Sequence, residues 1–242
     1  MEQINWKWVR RGLYVMVAVL IVLPIVTFGM AYMIVDVPKP GDIRTNQVST
    51  ILASDGSELA KIVPPEGNRV DVNIDQVPVH VRDAVMAAED RDFYSNPGFS
   101  FTGFARAAKN NVFGGDTQGG STITQQYVKN ALVGSARAGL GGVVRKAKEL
   151  VISTKMSSEW SKDQVMQSYL NIIYFGRGAY GIGAASKAYF DKPVEQLTVA
   201  DGALLAALIQ QPSALDPAVN PDGAAKRWNW VLDGMVDIGA LS

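Results

Sequence analysis

The sequence predicts a mainly α protein: a helical domain, preceded by a short β-hairpin connector and one N-terminal transmembrane helix. Three observations carry this. Residues 12–35 hold no charged side chain. Residues 49–63 alternate apolar and polar positions around an Asp-Gly dipeptide. From Pro78 onward, apolar residues recur at three- and four-residue spacings, as Val81, Val85 and Ala88 do. The chain therefore divides into a tail (1–11), a transmembrane helix (12–35), a linker with the hairpin (36–76) and a helical domain (77–242).

Taken in order, residues 12–35 are long enough, at about 1.5 Å per residue, to cross a hydrocarbon core of roughly 30 Å. The run exceeds the roughly 7–15 apolar residues of a signal peptide, so a retained anchor is expected. Lys7, Arg10 and Arg11 precede it and only Asp36 and Lys39 follow closely. The excess of positive charge places the N-terminus in the cytoplasm and the rest of the chain outside. Trp6, Trp8 and Tyr32 suit the two membrane interfaces, and Pro24 is positioned to kink the helix. Residues 37–46, with Pro38, Pro40 and Gly41, read as a polar linker. In the hairpin, Ile51 and Ala53 precede the Asp55-Gly56 turn, and Leu59 and Ile62 follow it. It is expected to be the only sheet.

Helices are expected over 78–88 and 102–112, the second with Phe104, Ala105 and Ala108 on one side. Four glycines within residues 114–120 predict a mobile loop. A helix opens after it, with Ser121 as N-cap and a ladder of polar groups at Gln125, Gln126, Lys129 and Asn130. A glycine-rich approach to a helix start suits an anion, and an ordinary capped helix accounts for it equally. A small-residue loop (133–142) leads to Arg145, Lys146, Lys148 and Glu149, where Arg145 and Glu149 share a helix face ahead of Ile152 and Met156. A surface ion pair and a phosphate-gripping pocket are both open readings of that cluster. Ser161 and Gln164 form a capping box for a helix bearing Val165, Met166, Tyr169, Leu170 and Ile173. Residues 174–183 are a glycine-rich turn. Helices follow over 184–190, 199–210 and 221–238. Leu204, Leu205, Leu208 and Ile209 make the second of these central, and Asn220-Pro221 starts the last.

Composition narrows the chemistry. Lys plus Arg equals Asp plus Glu at 23 each, so no global field points to nucleic acid. With no cysteine, thiol catalysis and cysteine–zinc sites are excluded. The single histidine, His80, reads as structural. Carboxylates, lysines and arginines remain. Glu89, Asp90 and Asp92 sit at the end of an apolar-faced helix, where an acid typically costs about 0.3–1 kcal/mol against the helix dipole. Either Arg91 offsets a solvated turn, or one carboxylate is a catalytic base at the mouth of a cleft.

Five ordered motifs favour the base. They are Glu89-Asp90-x-x-Phe93 with Gly98; Gly120-Ser121-Thr122-x-Thr124-Gln125-Gln126-x-x-Lys129-Asn130; Arg145-Lys146-x-x-Glu149; Tyr169-Leu170-Asn171-x-x-Tyr174-Phe175-Gly176 with Gly178-x-Tyr180-Gly181-Ile182; and Pro212-Ser213. Over roughly Val77 to Pro217 this set resembles the family 51 peptidoglycan glycosyltransferases, the glycan-polymerising module of class A penicillin-binding proteins. One position departs: Asn96 stands where the first motif usually has histidine. An amide hydrogen-bonds but does not titrate, so Asn96 receives no proton-transfer role.

The resemblance implies a lysozyme-like helical fold for residues 77–242 and lipid II as substrate. It implies inverting β-1,4 transfer from the lipid-linked donor to the 4-hydroxyl of an acceptor, with loss of undecaprenyl pyrophosphate. By the motif match Glu89 is the general base and Glu149 the second carboxylate, near the pyrophosphate or a bridging cation. Lys129, Arg145 and Lys146 are expected at the leaving group, and Gln126, Asn130 and Ser213 at donor phosphate or sugar. Ser121, Thr122 and Gln125 complete the expected substrate site. Mg²⁺ or Mn²⁺ is the expected cofactor, because pyrophosphate usually leaves with a hard cation; Glu149 is its one candidate ligand. The expected partners are lipid II, the nascent glycan strand, the bacterial plasma membrane and a cell-wall synthesis complex, with no nucleic acid.

Two rivals remain open. A lysozyme-like hydrolase would also use a glutamate, but has no use for Lys129, Arg145 and Lys146. An inactive membrane-anchored wall-binding scaffold is expected to have lost Glu89 or Glu149. Transpeptidase motifs (Ser-x-x-Lys, Ser-x-Asn, Lys-Thr-Gly) do not occur. The chain is accordingly expected to be the front part of a bifunctional protein and not to bind penicillin itself.

Overall fold

The computed structural model describes residues 6–40, 42, 49–62, 68–100, 120–133 and 140–242. The helix expected over 102–112, the glycine loop up to residue 119, and most of the small-residue loop over 133–142 lie outside them. The chain divides into two units, Met1–Val37 and Pro38–Ser242.

The first unit is one helix, α1 (Trp6–Ile34), uncharged after Arg11 and mostly exposed. At about 1.5 Å per residue it is long enough to span a bilayer. Its middle, Ala18–Val22, is a π-helical turn closed by Leu23 N–H donating to the Ala18 carbonyl. Pro24 follows at the start of the next α segment. Proline lacks the N–H of an α ladder, and the wider turn sits where the ladder is interrupted.

In the second unit β1 (Ser49–Leu52) and β2 (Glu58–Ile62) form the expected antiparallel hairpin, pairing Ser49 with Ile62 and Ile51 with Ala60. Asp55 Oδ1 accepts from Ser57 N at 2.9 Å, and Gly56 takes φ +83°, as a tight turn requires. The expectation of a single sheet is corrected. β3 (Asn68–Arg69), β4 (Tyr174–Gly176) and β5 (Ala179–Tyr180) form a second sheet in the order β3-β5-β4. β3 runs parallel to β5, and β4 antiparallel to it. The glycine-rich turn of 174–183 is thus a tight hairpin, turning at Arg177 (φ +51°) and Gly178 (φ +68°). Strands this short carry too few residues for alternation to register.

The helices follow the apolar periodicity. They are α2 (Val79–Glu89), α3 (Ile123–Val128), α4 (Leu140–Glu159), α5 (Lys162–Ile172), α6 (Ile182–Phe190), α7 (Val199–Leu208) and α8 (Pro221–Asp237). α7 is central, as expected: Ala203, Leu205, Ala206, Ala207 and Leu208 are fully buried, and it packs on α2 and α8. Gly202 lets α7 approach Val81 of α2 closely. α3 packs between α4 and α5. Ser161 and Gln164 form their capping box and Asn220 caps α8 ahead of Pro221. His80 is structural, its Nε2 lying 2.8 Å from the Leu197 carbonyl.

Gly98 marks the tightest approach near the Glu89 region. It adopts φ +90°, and a Cβ there would drive into the Ser153 carbonyl and come within 2.6 Å of Ser157 Oγ on α4. Gly178 has φ +68° but open space. Gly98→Ala should therefore cost about 3 kcal/mol or more, combining backbone strain with overpacking. Gly178→Ala should cost about 1 kcal/mol from strain alone. Urea unfolding of both variants checks the difference; equal losses would contradict it.

Candidate active site

The three carboxylates at the end of α2 are sorted by their surroundings. Asp92 is exposed. Asp90 is 4% exposed and turns inward. Its Oδ1 and Oδ2 each accept from Asn96 Nδ2 at 2.9 Å, and Oδ2 accepts from Ile123 N at 3.1 Å. The acid that is misplaced at the C-terminus of α2 thus meets the positive end of α3, where negative charge is favoured. Burial pushes the Asp90 carboxyl up to about 6 despite these bonds. Arg91 does not screen it; Arg91 pairs with Asp237 at 2.6 Å.

Glu89 takes a different partner. Its Oε2 accepts from Gln126 Nε2 at 2.5 Å, and Gln126 Oε1 in turn accepts from the Tyr169 hydroxyl at 3.1 Å. Burial raises the Glu89 pKa; the Gln126 hydrogen bond and the positive field of Arg227 pull it back, while Asp90 adds to the rise. A desolvated carboxylate with one tight donor has the makings of a general base.

α3 begins differently from expectation. Thr122, not Ser121, is its N-cap: Thr122 Oγ1 accepts from Gln125 N at 3.2 Å and donates to the Gly98 carbonyl at 2.8 Å. Gln125 closes the capping box through Thr122 N. The local sequence offers two adjacent hydroxyl residues, and the choice falls on the one that reaches Gly98. Ser121 is released to bond Lys146 Nζ, 2.8 Å from its Oγ.

The second cluster lies on α4. Glu149 is 1% exposed, so the surface-pair reading of this segment is corrected. Arg145 Nη1 bonds Glu149 Oε1, and Lys146 Nζ lies 3.2 Å from Oε2. Lys146 also stands 3.5 Å from Gln125 Oε1. Neighbouring residues of one short helix thus connect the two groups: Gln126 bonds Glu89 and Tyr169, and Gln125 meets Lys146, which pairs with Glu149. Lys129 and Asn130 are exposed on the π turn Lys129–Val133 that continues α3. Ser213 is exposed on the loop over 209–220. That loop is held by Arg177, whose Nε and Nη2 grip Asp216 at 2.8 and 2.7 Å.

Among the described residues, no three His, Asp or Glu side chains gather as a metal site. Both Glu149 oxygens face cations. The described residues therefore do not fit a resident divalent ion at Glu149.

Tyr169, Lys162 and Arg227 were not among the site residues expected from sequence. In the sequence Tyr169 stands in the fourth motif and on the apolar stripe of α5, where nothing marks its hydroxyl as a partner of Gln126.

A family model described as Transglycosylase matches residues 55–236. Penicillin-binding protein 1A of Mycolicibacterium smegmatis is 83% identical over 241 residues, covering 99% of this chain and 31% of that protein. Penicillin-binding protein 1A of Mycobacterium tuberculosis is 82% identical over 240 residues, 99% of this chain and 29% of that protein. Penicillin-binding protein 1F of Bacillus subtilis is 40% identical over 195 residues, 80% of this chain and 26% of that protein. The chain thus spans under a third of the length of these relatives.

The burial of Glu149 yields a test. Arg145→Ala leaves a buried carboxylate with Lys146 alone, and should cost about 3 kcal/mol. Adding Glu149→Gln should recover part of that loss, because the uncompensated charge goes with it. Denaturant melts of both single variants and the double check this; a double variant as unstable as the sum of the two would contradict it.

Proposed function

Since the chain belongs to the transglycosylase family, we propose that it polymerises lipid II into peptidoglycan glycan strands by inverting β-1,4 transfer. Glu89 takes the proton of the acceptor 4-hydroxyl. The freed oxygen attacks C1 of the donor sugar, and the C1–oxygen bond to undecaprenyl pyrophosphate breaks on the opposite face. Arg145, Lys146 and Lys129 offset the negative charge that develops on the departing pyrophosphate. Gln126 fixes the base, and Asn130 and Ser213 contact donor phosphate or sugar.

The observation that carries this reading is the two-sided placement around α3. A desolvated glutamate stands on one side and a cationic cluster on the other, joined by Gln126 and Gln125. Transfer from a pyrophosphate donor needs a base and a cationic leaving-group site together. A hydrolase has no need of the second. No nucleotide-binding fingerprint occurs in the sequence, which suits a lipid-linked donor.

We further propose that Mg²⁺ or Mn²⁺ arrives on the pyrophosphate, bound by phosphate oxygens and water. The α1 helix would hold the domain beside its lipid-borne substrate in a bacterial plasma membrane. The positive charge of Lys7, Arg10 and Arg11 favours a cytoplasmic N-terminus and an extracytoplasmic domain. The nascent glycan and a cell-wall synthesis complex are the proposed partners.

The test is polymerisation of labelled lipid II by the full chain. Glu89→Gln should lower the rate about 10²–10⁴-fold while leaving the unfolding midpoint close to that of the unmodified protein. Glycan made at the full rate by Glu89→Gln would refute the base assignment. Fragments released from finished glycan, with no polymer, would favour the hydrolase.

A further inference from the structure

Lys162 breaks a local rule. It is the first residue of α5, immediately after the Ser161 N-cap. That end of a helix carries partial positive charge and favours acids, so a lysine there is better placed in solvent. Instead its side chain is half-buried and folds back over the loop that follows Glu89. Nζ donates to the Asn96 carbonyl at 2.6 Å and to Asn96 Oδ1 at 3.2 Å, and it sits 4.7 Å from the centre of the Phe93 ring. Phe93 is fully buried. Sequences break local rules most often where function demands it.

What Lys162 reaches is the Asp90 latch. Asn96 donates its amide to both Asp90 oxygens and accepts from Gly98 N at 3.0 Å and from Lys162 through its Oδ1. Asn96 is neutral and brings no charge of its own. The charged and titratable groups around Asp90 are Glu89 beside it, exposed Asp92, Tyr169 from α5, and Lys162. Tyr169 stays neutral, its pKa held well above the ordinary value first by burial. The positive field on Asp90 comes from Lys162.

Charge at Asp90 matters because of what points at it. Asn96 Nδ2 and Ile123 N are both donors aimed at its oxygens. A protonated Asp90 would present an O–H to one of these donors, and that bond would be lost. Ile123 begins α3, and α3 carries Gln126 to Glu89.

We propose that Lys162 is a positioning residue for the base: its ammonium keeps Asp90 charged, Asp90 then clamps Asn96 and the start of α3, and α3 holds Gln126 on Glu89. The catalytic consequence rests on Glu89 being the base; the clamp itself does not. Lys162 touches no reacting atom in this scheme.

The sign follows from burial. Asp90 already titrates at about 6, so falling pH neutralises it and opens the latch. Loss of the Lys162 charge moves that opening to higher pH. The experiment uses the full chain in detergent, with ¹³C-labelled aspartate and ¹⁵N-labelled glutamine, and Lys162→Gln and Lys162→Arg beside the unmodified protein. Gln keeps a donor for the Asn96 carbonyl but no charge; Arg keeps the charge. The Asp90 carboxyl midpoint should rise by about one pH unit in Lys162→Gln and stay put in Lys162→Arg. The Gln126 side-chain amide signal should move with the Asp90 midpoint in the unmodified protein, a reading that needs no variant. In lipid II polymerisation, the acid limb of the rate profile should shift upward by the same unit in Lys162→Gln. That is about a tenfold loss on that limb, with recovery at alkaline pH and rescue by Arg.

An unshifted Asp90 midpoint in Lys162→Gln overturns the proposal, whether or not its melting temperature falls. A Gln126 amide that ignores the Asp90 titration overturns it too, as does an acid limb that stays fixed while the Asp90 midpoint moves. If the unmodified chain makes no glycan, the transferase reading fails on its own, and the two NMR titrations still judge the clamp.

Discussion

The Asp90 carboxylate is the constraint on which the rest of the site depends. A buried acid needs donors on both oxygens, and here they come from two separate stretches of chain, the loop through Asn96 and the first amide of α3. Satisfying that acid fixes how the end of α2 meets the start of α3, and therefore where Glu89 meets Gln126. The interaction also resolves the apparent electrostatic error at the end of α2. An acid that is unfavourable at one helix C-terminus becomes favourable at the N-terminus of another. Gly98 belongs to the same arrangement: its carbonyl accepts from Thr122, its amide donates to Asn96, and its lack of a Cβ lets α4 close over it.

α3 is too short to be stable by helix propensity; isolated helices of this length are unfavourable in water. Tertiary bonds make it: the Thr122 and Gln125 capping box, the Asp90 oxygen on Ile123 N, and packing against α4 and α5. Such a helix has little freedom to shift. That rigidity lets adjacent glutamines serve two different clusters, since residues one apart on a helix point in different directions. The carboxylate side and the cationic side are then held at fixed separation by α3 itself.

The cationic side is itself built around a buried acid. Glu149 sets the rotamers of Arg145 and Lys146 by accepting from both, and Lys146 carries the bond onward to Ser121. A buried ion pair is weak evidence for stability, because desolvation offsets most of its attraction. Its value here is orientation: two cations aimed from one helix face toward the opening of another. The same logic of desolvated charge raises the Glu89 pKa.

Features encoded within a few residues of one another are legible in the amino-acid chain. These are the uncharged run of α1, the Asp55-Gly56 hairpin, the Ser161 and Asn220 caps, the apolar α7 at the centre, and the ordered motifs that carry the family. Periodicity and capping are local, so they are legible without the fold. Tertiary structure alone decided which of Glu89, Asp90 and Asp92 turns inward, and that Thr122 rather than Ser121 starts α3. It also decided that Glu149 is buried, and that β3 finds β5 to make a second sheet. Each of these depends on groups far apart in the chain: Asp90 and Ile123 are separated by 33 positions, Asn96 and Lys162 by 66. A donor's partner at that distance is fixed by how the chain closes on itself, and no local pattern of residue types records it.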